Sequence, residues 1–291
     1  MNAKKKALAL VLCALMLVAA SVFGTLAYLT DKDTVENTFT VGHVDIKLDE
    51  AKVDAQGKPI KETTENGNVI RTEVVDYSTN EKDLLTANRV TSNSYHLVPG
   101  HTYTKDPTVT VIDGSEESYI RMMVYVEHID DLERAIPNTV TNDDDTTTII
   151  NADYYTDYNH DQINDFVLEK LLNNTLNTEK WGFKSYSKTD TTGIYEFRYH
   201  AKVDTYNDVD NNGAKVQADK ALEPLFTQIR IPGQLVDNEH ITYLANVKIV
   251  VTAQAIQADG FEADDTNNKT AEDVAWEAFN NEVPAYAPTN P

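Results

Sequence analysis

The clearest pattern in the chain is an alternation of apolar and polar residues, which is typical of half-buried β-strands. In SYIRMMVYVEH the even positions from Ile120 to Val126 are apolar, whereas Arg121 lies on the opposite face. In GIYEFRYHAKV the odd positions from Tyr195 to Val203 are apolar or aromatic. The segment HITYLANVKIVVTAQAI alternates over residues 240–256, which predicts one long strand that crosses a whole sheet or bends midway.

The stretch over residues 37–48 also alternates, but its parity changes. The apolar residues lie first at the odd positions 39 and 41, and then at the even positions 44, 46 and 48. A change of parity turns a strand over unless an extra residue is inserted. Glycine is common at such insertions, so the pattern predicts one strand with a bulge at Gly42.

Shorter segments complete the secondary-structure prediction. Further strands are predicted over Val69–Tyr77, Pro107–Ile112, Trp181–Tyr186 and Leu225–Ile231. Two helices are predicted: Asp161 caps QINDFVLEKLLNN, and Thr270 opens a capping box with Asp273 before VAWEAFNN. The polar segments 49–68, 138–148 and 204–220 are predicted to be loops or insertions.

These elements predict a mainly β fold, an antiparallel β-sandwich of jelly-roll type with a few short helices. We expect the domain to span residues 37–281, with insertions at about 49–95 and 130–220. The short helices lie in those insertions and near the C-terminus. The Pro-rich tail over residues 282–291 is predicted to be disordered.

The N-terminus has the pattern of a secretory signal peptide. Three lysines precede a long uncharged run, and Thr25 and Ala27 provide small residues at the −3 and −1 positions. Cleavage after Ala27 makes Tyr28 the new N-terminus and leaves no stable membrane span. The alternative is an uncleaved transmembrane helix over residues 7–28, which are about enough to cross a bilayer. The acidic residues that follow directly favour cleavage.

Cysteine content and charge narrow the function classes. Cys13 is the only cysteine and lies in the signal segment, so the mature chain has no disulfide and no thiol nucleophile. The formal net charge is −22, and cleavage removes three lysines and no acid. Such an acidic chain is not expected to bind nucleic acid or anionic membrane surfaces. The charge fits a secreted protein.

Four segments in the same order resemble one family of exported proteins. They are GTLAYLTD with NTFTVGHVDIKLDE, LVPGHTYTKDPTVTVIDGSEESYIRMMVYVE, VKIVVTAQAIQADGF and TAEDVAWEAFNN. Together they are similar to the TasA/camelysin family of Gram-positive biofilm matrix proteins. The resemblance covers both ends of the mature chain and residues about 97–128. The segments at about 49–95 and 130–220 have no motif that aligns with the family.

The resemblance implies a jelly-roll subunit that assembles into, or caps, extracellular fibres. It also implies a signal peptide processed by a SipW-type signal peptidase, and partners that are copies of this chain or a related fibre subunit. In the fibre-forming relatives the segment freed by cleavage inserts as a strand into the next subunit. Carried over to this chain, the candidate donor-strand residues are Tyr28, Leu29, Thr30, Val35 and Phe39. The alternative is that residues 28–36 are a frayed terminus.

The loop DVDNNGAKVQAD has the spacing of an EF-hand-like calcium loop. Its candidate ligands are Asp208, Asp210, Asn212, the Ala214 carbonyl and Asp219. The last ligand is Asp rather than the usual Glu, and no flanking helices are predicted, so a solvated turn is the alternative. A second acidic run, DYNHDQIND, has similar spacing, but capping by Asp161 explains it better.

An enzyme is not predicted, and no cofactor is required. Camelysin-type relatives imply a metalloprotease as a third hypothesis, but the seven histidines are scattered and the chain has no HExxH motif. Sequence motifs for a serine nucleophile or a phosphate-binding loop are also absent. The second hypothesis is a monomeric cell-surface binding or adhesive module with a calcium-stabilised loop.

Overall fold

The computed structural model describes residues 30–32, 43–95, 97–136, 138–141, 147–150, 167–205, 208–209, 215–216, 218–231 and 240–283. The strands in chain order are β1 (Thr30–Lys32), β2 (Ile46–Ala51), β3 (Ile60–Glu65), β4 (Asn68–Val74), β5 (Arg89–Val90), β6 (Thr102–Thr104), β7 (Thr108–Val111), β8 (Ser118–Glu127), β9 (Asn138–Thr141), β10 (Thr147–Ile150), β11 (Trp181–Lys188), β12 (Thr192–Tyr199), β13 (Asp208–Val209), β14 (Lys215–Val216), β15 (Lys220–Ala221), β16 (Gln228–Arg230) and β17 (Lys248–Gln257). The α-helices are α1 (Ile129–Ala135), α2 (Val167–Leu171) and α3 (Ala271–Glu282), and 3₁₀-helices span Glu81–Thr86 and His240–Asn246.

Two antiparallel sheets form the body of the protein. The first has five strands in the order β1-β17-β8-β12-β11, and the second has four strands in the order β15-β7-β2-β5. Every strand pair in the described residues is antiparallel. The predicted mainly β, antiparallel architecture with few helices is therefore confirmed.

One hydrophobic core lies between the two sheets. The apolar even positions of β8 (Ile120, Met122, Val124 and Val126) are fully buried in it. The odd positions of β12 also enter this core, and the second sheet contributes Ile46, Val109 and Val111. The alternation in the sequence thus predicted the inner faces of both central strands correctly.

The outer face of β8 is covered as well. Helix α3 packs there through Trp276 and Phe279, which form a second buried cluster with Tyr119 and Ile256. Arg121, on the polar side of the alternation, is buried beneath this helix with its guanidinium carbon 4.3 Å from the centre of the Trp276 ring. A cation over an indole face is attracted by the ring quadrupole.

Hydrogen bonds hold the Arg121 guanidinium in place. Its Nε donates to Gln254 Oε1 at 2.7 Å, and its Nη2 donates to Asn280 Oδ1 at 2.6 Å. Burial lowers the pKa of the Arg121 guanidinium, and the Glu196 carboxylate, 3.5 Å from Nη1, opposes that shift. The cation therefore ties the two central strands to the C-terminal helix.

The predicted capping box at the start of α3 is present. Thr270 accepts a hydrogen bond from the Asp273 amide, and the Asp273 carboxylate accepts one from the Thr270 amide. Burial alone would raise the pKa of the Asp273 carboxyl. Hydrogen bonds from Lys184, Thr270 and Arg198 outweigh that effect and hold the pKa well below its ordinary value. The cap is therefore also the point at which strands β11 and β12 are joined to α3.

The prediction of one continuous strand over residues 240–256 is wrong in its first half. Residues 240–246 form a 3₁₀-helix that packs against α1, and the strand begins at Lys248. Leu244 of this helix is buried, although the alternation in the sequence placed its even-numbered position on the side opposite Ile241, Tyr243 and Val247. Here the i to i+3 spacing of a 3₁₀-helix brings Leu244 and Val247 to one side.

Three segments predicted as loops contain short strands. Strand β3 lies within 49–68 and forms a hairpin with β4 through the turn Asn66-Gly67, where both residues have positive φ. That combination is typical of a type I′ turn. In the segment 138–148, strand β9 pairs with β10, and in the segment 204–220, strand β13 pairs with β14. Within the described part of the chain, no helix is both long and apolar enough to cross a membrane.

Candidate functional site

The edge of the five-stranded sheet at β17 is the candidate functional site. Strand β8 pairs with β17 along its whole length, from Lys248 to Gln257. On the other side, β1 pairs only with the last part of β17: Thr30 lies opposite Ile256, and Lys32 lies opposite Gln254. Among the described residues, positions 248–253 have no strand partner on that side. Their outward backbone groups form a template to which a further strand can pair.

A groove runs beside this edge, between the two sheets. It is a cavity of about 290 Å³, lined on one side by residues 248–251 of β17 and on the other by Leu48, Asp49 and Glu50 of β2. Ile249 and Val251 are only half-buried, although both pack against the main core. The groove therefore leaves apolar side chains of β17 partly uncovered. A second cavity of about 240 Å³ adjoins it around Leu244, Val247 and Ile249.

Buried charges form the floor of the groove. Lys105 Nζ lies 2.6 Å from Glu50 Oε2, and both side chains are almost fully buried. Asn93 donates from Nδ2 to Glu50 Oε1 at 3.0 Å. Burial, with the negative charge of Glu50, raises the pKa of the neighbouring Tyr95 hydroxyl, which therefore stays protonated and donates to the Thr104 carbonyl.

A second buried group of charges adjoins the first. Arg89 lies 2.8 Å from Asp49 Oδ1 and 2.6 Å from Asp106 Oδ2, and Asp106 Oδ1 accepts the Ala51 amide. Burial raises the pKa of the Asp106 carboxyl, although the cation of Arg89 opposes the shift. These contacts fix strand β5 and the segment before β7 onto β2, and so they define the wall of the groove.

The predicted donor segment is only partly described. Of its residues, Thr30 lies in β1, while Tyr28, Leu29, Val35 and Phe39 lie outside the described residues, as does the predicted cleavage site at Ala27. What the structure shows is that residues 30–32 are a strand, and that this strand is at the β17 edge. The predicted bulge at Gly42 also lies outside the described residues.

The predicted calcium loop is described only at its ends. Asp208 pairs with Val216 in the β13–β14 ladder, so the loop connects two strands. Asp219 is exposed, and its Oδ1 accepts the Asp113 amide at 2.9 Å. Asp210, Asn212 and Ala214 lie outside the described residues, as does the second acidic run around Asp161. Calcium binding by this loop stays a prediction.

The structure brings no histidine-based catalytic group together in its described part. His43, His101, His128 and His200 are exposed and lie in four different connections between helices and strands. The described residues contain no group of three or more His, Cys, Asp or Glu side chains that could hold a metal ion.

The chain matches no protein-family model, and it has no significant match among curated proteins or solved structures. The resemblance to the TasA/camelysin family therefore stays a prediction.

The groove itself was not predicted from the sequence. Glu50, Asn93 and Lys105 are far apart in the chain, in segments that carry no periodic pattern. The sequence KDP, residues 105–107, did carry a signal. Lys105 and Asp106 come just before Pro107 and the apolar strand β7, and charged residues are rare beside a buried strand unless they are paired.

Proposed function

We propose that this protein is a secreted structural subunit that assembles into, or caps, extracellular fibres of a biofilm matrix. In this proposal the two sheets form a jelly roll, and the N-terminal segment freed by signal-peptide cleavage docks as a strand on the β17 edge of the next copy. The observation that supports it most is the antiparallel pairing of residues 30–32 with residues 254–256. This pairing gives the docked strand a direction and a register.

The register agrees with the apolar pattern of the N-terminal segment. Continued along β17, it sets Val35 opposite Val251, and Phe39 falls one position beyond Lys248, the first residue of the strand. Directly opposite residues of paired strands share a face. Val251 packs against the main core, so Val35 falls on the side of the groove, whereas Tyr28 and Thr30 alternate to the opposite face.

Two acidic residues fall on the same face in this register. Asp31 lies opposite Ala255 in the described pair, and Asp33 would lie opposite Ala253. These alanines have the smallest side chains on the inner face of β17.

The same contact, made between chains, produces a filament. A donated strand gains main-chain hydrogen bonds along the edge, while alternate side chains fill the groove. The donor lies at the N-terminus of one copy and the acceptor lies at β17 of another, so the contact is head-to-tail and does not close on itself. Within one isolated chain, residues 30–32 already pair with its own β17, so assembly exchanges this internal strand for one from a neighbour.

Filling the groove with a charged side chain tests the acceptor. Val251→Lys is expected to abolish fibre formation by the mature chain, because a cation on the inner face of an unpaired edge disfavours strand addition. Fibres are scored by sedimentation and electron microscopy. The matched control is Val69→Lys, at an exposed valine of the β3–β4 hairpin, which is expected to leave assembly unchanged.

Circular dichroism and the melting temperature of each variant establish that both remain folded. The proposal is contradicted if folded Val251→Lys protein assembles like the unsubstituted chain, or if Val69→Lys blocks assembly equally.

A further inference from the structure

We propose that Lys105 and Asn93 become joined by an intramolecular isopeptide bond, with Glu50 as the group that transfers the proton. Lys105 Nζ lies 2.6 Å from Glu50 Oε2, and Asn93 Nδ2 lies 3.0 Å from Glu50 Oε1. One carboxylate thus holds both the amine and the amide. The inference concerns a covalent modification of this chain and does not depend on fibre assembly.

The Asn93 amide is held in one orientation. Its Nδ2 donates to the Ala51 carbonyl at 2.8 Å as well as to Glu50, and its Oδ1 accepts the Val53 amide at 3.1 Å. A backbone N–H aimed at the amide oxygen stabilises the negative charge that develops there when the carbonyl carbon is attacked. The site therefore has an oriented electrophile with its own oxyanion donor.

The surroundings favour an uncharged product. Lys105 and Glu50 are 9% and 5% exposed, and the Tyr95 ring centre lies 5.9 Å from Lys105 Nζ. A buried ion pair carries a large desolvation cost. Proton transfer from Lys105 to Glu50 gives a neutral amine, which is the nucleophilic form, and removes both charges from the interior.

The reaction balances without an oxidant or a second reactant. Lys105 Nζ attacks Asn93 Cγ, a Cγ–Nζ bond forms, and the Cγ–Nδ2 bond breaks with loss of ammonia. Of the three ammonium protons, one stays on the new amide nitrogen, one passes through Glu50 to the leaving nitrogen, and one remains on Glu50. Proton transfer by a positioned carboxyl group within hydrogen-bond reach of both nitrogens is general acid–base catalysis.

The bond would close the segment between strands β5 and β7. Residues 94–104 contain β6 and the Pro99-Gly100 turn, and part of this segment lines the second cavity, which adjoins the groove. The chain has only Cys13, so no disulfide can join two parts of this sequence. An isopeptide bond would provide the covalent restraint on the unfolded chain that a disulfide provides elsewhere.

Intact-mass spectrometry of the denatured mature chain tests the proposal. The unsubstituted protein is expected to be lighter than its sequence by one ammonia, and a tryptic map is expected to show a branched peptide that joins residues 93 and 105. Lys105→Arg keeps a cation for Glu50 but has no amine to react, so its mass should equal the sequence mass. Asn93→Ala and Glu50→Gln should also have the full mass of their sequences.

A cyclic imide at Asn66-Gly67 would release ammonia too, so Asn66→Ala is the matched control and should retain the deficit. The proposal is overturned if the folded, unsubstituted chain has its full sequence mass, or if the deficit persists in Asn93→Ala. The first result is measured on the unsubstituted protein, so it does not depend on how well a variant folds. A deficit in Asn93→Ala cannot come from a bond between residues 93 and 105, whether or not that variant folds.

Discussion

A mature chain that begins at Asn37 is expected to stay monomeric under conditions in which a chain that begins at Tyr28 forms fibres. The shorter chain lacks β1 and residues 33–36, which would continue β1 along β17 as far as Val250. It keeps β17, the groove and the main core. The edge therefore remains available but has no strand to receive, and main-chain pairing between copies is lost.

Negative-stain electron microscopy of both chains measures this difference. A matched control removes residues 284–291 from the other end of the chain and is expected to form fibres normally. Fibres from the chain that begins at Asn37 would contradict a donor role for the N-terminal segment. Monomers from both chains would instead favour the second hypothesis, a cell-surface binding module, and calcium would then be added.

Trp276→Ala is expected to lower the free energy of unfolding by about 3–5 kcal/mol, as is typical when a large buried aromatic side chain is removed. Trp276 is fully buried between α3 and the outer face of the five-stranded sheet. The substitution also removes the indole face that covers the Arg121 guanidinium. Loss of the indole leaves the buried Arg121 cation without this contact, which lowers the free energy of unfolding further than the cavity alone would.

Urea unfolding followed by circular dichroism measures the change. Glu277→Ala is the matched control, because Glu277 is exposed on the same helix and pairs only with Lys269 at the surface among the described residues. We expect it to change stability by less than about 0.5 kcal/mol. Equal unfolding midpoints for the two variants would show that α3 is not an integral part of the fold.

Periodic segments could be predicted because the pattern and the burial have the same cause. In β8 and β12 the alternate residues face one continuous core, so parity alone identified their inner face. The capping box at Thr270 was predictable because its two hydrogen bonds are local in sequence. The packing of α3 on the outer face of β8 could not be predicted, because Arg121 lies on the polar side of the alternation and its contact with Trp276 is distant in sequence.

The failures have equally specific reasons. Residues 240–246 alternate by chance, and packing of the 3₁₀-helix on α1 overrides that pattern. The β3–β4 hairpin is exposed and rich in charge, so hydrophobicity did not reveal it, although Asn66-Gly67 is a strong hairpin signal. The groove depends on contacts between Glu50, Asn93 and Lys105, and such distant pairings leave no local pattern.

Cysteine cross-linking between two different chains tests the central claim most directly. Both chains are made to begin at Tyr28, without Cys13; one carries Val35→Cys and the other carries Val251→Cys, so the introduced thiols are the only ones. Continued from residues 30–32, the register would place these positions directly opposite, at a separation suited to a disulfide. After mixing, assembly and mild oxidation, we predict a covalent dimer of the two chains. A pair with Glu36→Cys, one residue out of register, should give far less. A third chain carries both substitutions. If the two single-cysteine chains give no mixed dimer while this third chain forms an internal disulfide, strand exchange is contradicted and β1 is an internal strand.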